Sequence, residues 1–463
     1  MLPRESAMRR SLRHFVWPIG VLVLAAGVLL AGCSGPDARV RGPLQSGDDA
    51  ARQHALREAL NHYRTAAVAE PASLEAQTRR GAMAEALGEF DEALEAYGRA
   101  ARLEPSALTF YRAGAMAERM GNHGLAVDYL TASLGAAPTR GERVAQSFRH
   151  GIERLSAVLA ASRFSRMLPD WVFRSLTVGR AVLSTAGLDR DVVAGTLFTS
   201  MIEAGEPARA LELAKARGWV RAGADYCSGA HGEAAETRAL VGMLVAPEQT
   251  DCLLALGRSL TDGGLVRLSR LVLLDRSRNS TDPKVRREAL AFLRERLPAR
   301  DVPKVAESLN IAAYNLHHRF GDPGDAAVVY QRAIAADSEF SWPYANLGRL
   351  YMDMDEAELG LEWLQAAVRI NPSHFRAWVN LGLALYSLRR YDEAVPAYQA
   401  ALAINPTDAF VHAYLGRSLL SLGRDGEGVR ELQTAVRLDP SLTEERDLLG
   451  RRVAADPRAF QPD

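Results

Sequence analysis

The chain offers few groups that chemistry could use: three cysteines and ten histidines in 463 residues. Cys227, His231 and Cys252 form a cluster of thiol and imidazole donors, without the Cys-x-x-Cys spacing that closes a tetrahedral zinc site. His317 and His318 sit on a helical stretch as a polar pair facing groove or solvent, and they do not read as a metal site. No H-E-x-x-H, G-x-S-x-G, phosphate-cradling or dinucleotide glycine motif occurs. Cys33 stands apart, at the end of an apolar run from Val16 to Leu30 that follows Arg9, Arg10 and Arg13. The run is too short to span a bilayer. These residues point to targeting and recognition rather than catalysis. No cofactor, no resident metal and no enzymatic activity are expected.

The residues Leu30-Ala31-Gly32-Cys33 resemble the bacterial lipobox. The resemblance implies a lipoprotein signal peptide at 1–32, with diacylglycerol and an N-acyl chain on Cys33. The alternative is an ordinary signal peptide with an incidental cysteine. Ser34, and not Asp, follows the cysteine, which implies delivery to the outer membrane, facing the periplasm. In that oxidising compartment Cys227 and Cys252 are expected to form a disulfide. Several acyl chains anchor firmly without a transmembrane helix. Residues 33–47 are rich in Gly, Pro and polar side chains and are expected to be a flexible tether of roughly 20 Å. Residues 1–32 carry four arginines and Glu5, so their removal takes the chain from net zero to about −3. That balance gives no sign of nucleic-acid binding.

The elements that would position a recognition surface are legible from Ser341 to Pro440. Leu-Gly recurs at Leu347-Gly348, Leu381-Gly382 and Leu415-Gly416, and Ala-x4-Pro ends three units at Pro372, Pro406 and Pro440. With Trp378, Ala394, Tyr398 and Ala401, the 34-residue period resembles the tetratricopeptide pattern. That resemblance implies an all-α solenoid of stacked helix-turn-helix repeats. The glycine permits close helix approach, and the residue before each proline is pushed out of the α region. Pro396 is expected within about one turn of an N-cap at Asp392, where it removes at most one hydrogen bond.

A weaker N-terminal array is expected at 48–140. Ala59, Tyr63 and Ala66 there lack a clear first helix, and Gln77 and Arg80 replace apolar residues. Residues 141–306 keep helical patterning but lose the period. They read as divergent solenoid or as a separately folded helical domain. Asp282-Pro283 starts a helix there. The C-terminal array, 307–442, begins with a degenerate unit in which Asn310 and Tyr314 stand for the usual Trp and Gly. Residues 443–463 read as a capping helix and tail.

Tetratricopeptide domains that clamp peptide C-termini use Lys and Asn on successive first helices. By that resemblance Asn315, Asn346 and Asn380 fall on clamp positions, with Arg349, Arg376 and Arg417 lining the same channel and biasing it toward acidic partners. Ile311 occupies the first lysine position, a departure that argues against carboxylate capture. The implied partners are other envelope proteins or their extended segments. The expected function is a lipid-anchored interaction scaffold for assembly of a pilus, secretin, outer-membrane or polysaccharide-export machine. The alternative is a regulatory or catalytic subunit of cell-wall or glycan metabolism, with activity in 141–306.

Overall fold

The computed structural model describes residues 38–137, 190–219, 235–245, 250–262, 266–297 and 301–455, and every regular element among them is helical. Cys33, Cys227, His231 and residues 1–32 lie outside the described residues. The chain divides into two compact units: Met1–Ala84, Asp91–Glu118 and Asn122–Leu213 form one, and Glu85–Phe90, Arg119–Gly121 and Ala214–Asp463 the other.

In the first unit the helices are α1 (Ala38–Arg52), α2 (Leu56–Ala69), α3 (Leu74–Ala86), α4 (Phe90–Leu103), α5 (Ala107–Arg119), α6 (His123–Gly135) and α7 (Arg190–Glu203). After α8 (Pro207–Ala216), the second unit carries α9 (Ala235–Val245), α10 (Thr250–Asp262), α11 (Val266–Asn279) and α12 (Pro283–Arg296). Then come α13 (Lys304–Asn315), α14 (Pro323–Ala336), α15 (Ser341–Asp353), α16 (Ala357–Ile370), α17 (Phe375–Ser387), α18 (Tyr391–Ile404), α19 (Ala409–Ser421), α20 (Asp425–Leu438) and α21 (Thr443–Ala455).

One contact recurs from hairpin to hairpin. Gly382 on α17 faces Tyr398 on α18, and a Cβ added there would lie 2.5 Å from the buried ring. The same step of sixteen residues joins Gly47 to Tyr63, Gly81 to Tyr97, Gly114 to Leu130, Gly348 to Leu364 and Gly416 to Leu432. Only a missing side chain lets the two helices close this far, and the large side chain fills the gap. Burial of such a side chain contributes roughly 1.5–3 kcal/mol.

That contact corrects three expectations. Gly47 and Pro43 suggested a tether, but both lie inside α1, where Leu44 and Ala50 are buried and the Tyr63 hydroxyl donates to Asp48 over 2.7 Å. The chain from Ala38 onward is therefore the first helix that the initial repeat lacked in sequence. In the middle region, Gly257 on α10 faces Leu273 on α11, again sixteen residues on, and a Cβ added there would lie 2.8 Å from the leucine. The period is interrupted between these hairpins, but the hairpin geometry persists. At the start of the C-terminal array, Tyr314 is 46% exposed, so it does not occupy the glycine place; its neighbour Ala313 is fully buried. A π turn, Leu316–Phe320, follows α13 and widens the helix end, placing Ala313 seventeen rather than sixteen residues before Tyr330.

Turns repeat as strictly as helices. Gly321, Asp355, Arg389 and Gly423, spaced 34 apart, all adopt positive φ between first and second helix. Repeats are also stitched end to end through carbonyls. The Trp378 indole donates to Pro372 O (2.7 Å), the Tyr344 hydroxyl to Ser338 O (3.1 Å) and the Gln77 amide to Pro71 O (3.2 Å), each six residues back. Gln77, fully buried, therefore serves the repeat by its polar tip, which its lack of apolarity hid. The cap lies two residues earlier than expected: α18 starts at Tyr391 after Arg390, so Asp392 is not the N-cap. Pro396 is the sixth helical residue and gives up one hydrogen bond, the one its N–H would make to Asp392 O.

The middle helices are continuous with the C-terminal array. Leu254, Leu273, Val285, Ala289 and Leu293 share one buried cluster with Ala306, Phe340 and Trp342. At the end of α12 the Arg296 guanidinium donates to Ile404 O over 2.9 Å. The boundary expected at 306 thus falls inside one core. Asp282 caps α12 by accepting from the Lys284 amide at 2.7 Å, with Pro283 at the first helical position.

His374 is buried between two repeats, stacked on Trp342 (4.3 Å between centroids) with Nδ1 3.0 Å from the Ser341 hydroxyl. Burial, aided by nearby Arg376, pulls its pKa down to about 3. The unfolded chain therefore binds a proton that the fold refuses between about pH 6.5 and 3. Stability contributed by neutral His374 is complete above that window and falls with pH, by up to ~1.4 kcal/mol per unit. Thermal melts between pH 7.5 and 5 should lose more stability in the wild type than in His374→Phe; parallel pH profiles would contradict this assignment.

The glycine contact makes a second prediction. Gly382→Ala forces a methyl into Tyr398 and should cost about 1–3 kcal/mol. Gly426, in the first turn of α20, has open space around it, so Gly426→Ala should be neutral or stabilising by up to ~1 kcal/mol. Melting temperatures that move together would refute the repeat register.

Candidate functional site

First helices α13, α15, α17 and α19 carry the residues expected to line a groove. The sequence places Asn315 on α13, Asn346 on α15 and Asn380 on α17, one to a repeat. The structure brings Asn346 to a different amide: its Nδ2 donates to Asn310 Oδ1 over 2.9 Å. Asn310 is buried while Asn315 is exposed; five residues apart on α13, they lie on different faces of the helix. Asn380 is half-buried and has no hydrogen-bond partner among the described residues.

α13 also turns an apolar stripe outward. Ile311 is 43% and Tyr314 46% exposed, and the Tyr314 ring lies 4.2 Å from His318. His317 stacks on His318 at 4.0 Å and places Nε2 3.3 Å from Asp353 on α15. Burial first, then His318, lowers the His317 pKa, while Asp353 opposes the shift. The pair thus binds neighbouring helices together.

Two of the three arginines expected to bias the channel toward acidic partners already have carboxylate partners. Arg349 is held by Asp353, one turn along its own helix, with Nε 2.9 Å from the carboxylate. Arg417 on α19 reaches α21, at 3.1 Å from Glu444 and 2.5 Å from Glu445, and lies over the Tyr414 ring at 5.6 Å. These carboxylates cancel both charges locally. Arg376 remains exposed, with no ion-pair partner among the described residues.

Helix α21 is therefore more than a cap. It buries part of Leu448 and Leu449 against Leu420, Val429 and Leu432. Glu444, Asp447, Leu448 and Arg451 also form one wall of a cleft of about 440 Å³, and Tyr386, Arg417, Leu420 and Ser421 form the other. Tyr386 meets Tyr414 edge-on at 5.3 Å beside it. Sequence reasoning read Asn310 only as a degenerate repeat position and α21 only as a cap, and it did not single out Tyr386. The buried polar Asn310 was a usable signal; the other two needed the stacking of helices.

Cys252, half-buried on α10, is disulfide-bonded; Cys227, its expected partner, lies outside the described residues.

The tetratricopeptide repeat family model matches residues 44–107, 84–140 and 346–409. Both arrays thus carry tetratricopeptide repeats, and the same glycine contact continues beyond the matched ranges at Gly257 and Gly416. Superkiller protein 3 of Saccharomyces cerevisiae is 29% identical over 55 residues, which is 12% of this chain and 4% of that protein. The chain therefore spans only a small part of that relative. Among solved structures, MamA residues 41 to the end from Desulfovibrio magneticus RS-1 is similar, at 21% identity and a TM-score of 0.31. That likeness covers 33% of this chain and 86% of that one. YrrB, described as a tetratricopeptide protein with an unusual peptide-binding site, is 16% identical with a TM-score of 0.29, over 43% of this chain and 91% of that one. The fold is a tetratricopeptide α-solenoid, and its repeats point to a protein–protein interaction scaffold.

Proposed function

We propose that the chain is a lipid-anchored scaffold of the bacterial envelope whose C-terminal array holds an extended segment of a partner protein. The observation that carries the groove is the row of first helices α13, α15, α17 and α19, with the Asn310–Asn346 amide pair, an unpaired Asn380 and the cleft against α21. Amides both donate and accept, so they suit the backbone of a peptide whatever its side chains. Exposed Ile311 and Tyr314 add apolar contact for one anchoring side chain. With Arg349 and Arg417 neutralised, recognition runs through backbone and shape rather than through partner acidity.

The anchor rests on Leu30-Ala31-Gly32-Cys33 after the apolar run. Acylation there confines the groove to a membrane, where capture of a membrane partner becomes effectively intramolecular. The business served is assembly of an envelope machine, such as a pilus, secretin, outer-membrane or polysaccharide-export complex.

Cys33→Ser should leave unprocessed precursor or release the protein from the membrane fraction; unchanged fractionation would reject the anchor. Crosslinking and affinity purification from membranes identifies the captured partner. Asn346→Ala with Asn380→Ala should then weaken capture by roughly 1–3 kcal/mol while the helical melt is preserved. Partner recovery unaffected by the pair moves binding off this groove.

A further inference from the structure

The α11–α12 corner carries positive charge beyond what the fold uses. From Val266 to Leu297 the sequence has nine basic and four acidic residues. Arg267, Arg270, Arg276 and Arg296 are engaged with Val302 O, Asp301, Asp275 and Ile404 O, while Arg278, Lys284, Arg286 and Arg287 stand at the corner. The acids near the corner are occupied. Asp275 pairs with Arg276 and accepts from Asn279 at 2.7 Å, Asp282 caps α12, and Glu288 pairs with Arg258 at 3.1 Å and lies 3.9 Å from Lys284. Arg278 and Arg287 are exposed and have no ion-pair partner among the described residues. Arg286 donates only to main-chain oxygens, Ser280 O at 2.6 Å and Thr281 O at 3.3 Å, so its charge is not cancelled.

The placement of these cations opposes local stability. Lys284, Arg286 and Arg287 stand at the start of α12, the positive end of the helix dipole, and its first turn holds no acid. Helix starts favour Asp and Glu; the N-cap carboxylate of Asp282 meets this preference only in part, so the cations here still cost some stability. Along the outward face of α12, Lys284 and Arg287 are followed by Leu290, which is 40% exposed. Cations around an exposed leucine match the phosphates and the apolar boundary of an anionic membrane surface.

We propose that the α11–α12 corner docks on the phosphate headgroups of an anionic membrane, giving the scaffold a second, electrostatic contact independent of Cys33. Nothing in it rests on the groove. Each cation near such a surface adds about 1 kcal/mol, or roughly fivefold in binding. The test compares the full chain with its Arg278→Glu, Arg287→Glu variant on phosphatidylcholine vesicles with and without phosphatidylglycerol, at low and high salt. The four arginines of residues 1–32 also favour anionic lipid but are common to both proteins, so the readout is the difference between wild type and variant in the gain due to anionic lipid. The wild type should show that gain and lose it at high salt. The variant should lose it by roughly tenfold or more, with an unchanged helical melt. Wild-type binding indifferent to phosphatidylglycerol, or a variant that keeps the gain, overturns the proposal. Binding of an acidic peptide at this corner without anionic vesicles also overturns it, in favour of a protein partner. Asn346→Ala with Asn380→Ala, which tests the groove, should leave the vesicle gain untouched.

Discussion

A glycine on one helix set against a large ring or leucine on the next is the contact on which the other features depend. It fixes how closely two helices of a hairpin approach, and so where the next hairpin can stack. Because the large side chain inserts where a Cβ is missing, neither partner can change without the other. Gly382 with Tyr398 and Gly257 with Leu273 show that the contact survives even where the 34-residue period is interrupted. Stacking then places first helices side by side. The polar tips of Trp378, Tyr344 and Gln77 set the joint between repeats by reaching carbonyls six residues back.

Departures from this rule shape the surface proposed for recognition. After α13 a π turn makes the step from Ala313 to Tyr330 seventeen residues, with Ala313 buried and Tyr314 exposed. On the same helix Asn310 meets Asn346, and Ile311 and Tyr314 face out. Charge is settled at the same level. Arg349 pairs with Asp353 on its own helix, and Arg417 ties α19 to α21 through Glu444 and Glu445.

Repeat solenoids are governed by nearest-neighbour interfaces, and additional contacts stiffen them locally. Here Arg296, at the end of α12, bonds to Ile404 O at the end of α18, and Asn371 reaches Arg296 O at 3.5 Å. The end of α12 thus touches two successive repeats. It carries the core of α10–α12 into that of the C-terminal array.

The sequence by itself determined the all-helical class, the register from Ser341 to Pro440, and the start of α12 at Asp282-Pro283. Each rests on local rules: a 34-residue spacing, a glycine at closest approach, a cap followed by proline. The candidate groove was legible as a set of first helices, and Asn346 and Asn380 were among its residues. Only the tertiary structure decided that Gly47 and Pro43 belong to a helix and that Gly257 and Leu273 make a repeat-like hairpin. It also paired Asn310 with Asn346 and neutralised Arg349 and Arg417. The physical reason is the same throughout. A glycine reads as a breaker until the ring that fills its place is known, and an arginine reads as free until the carboxylate of another turn or helix is brought beside it.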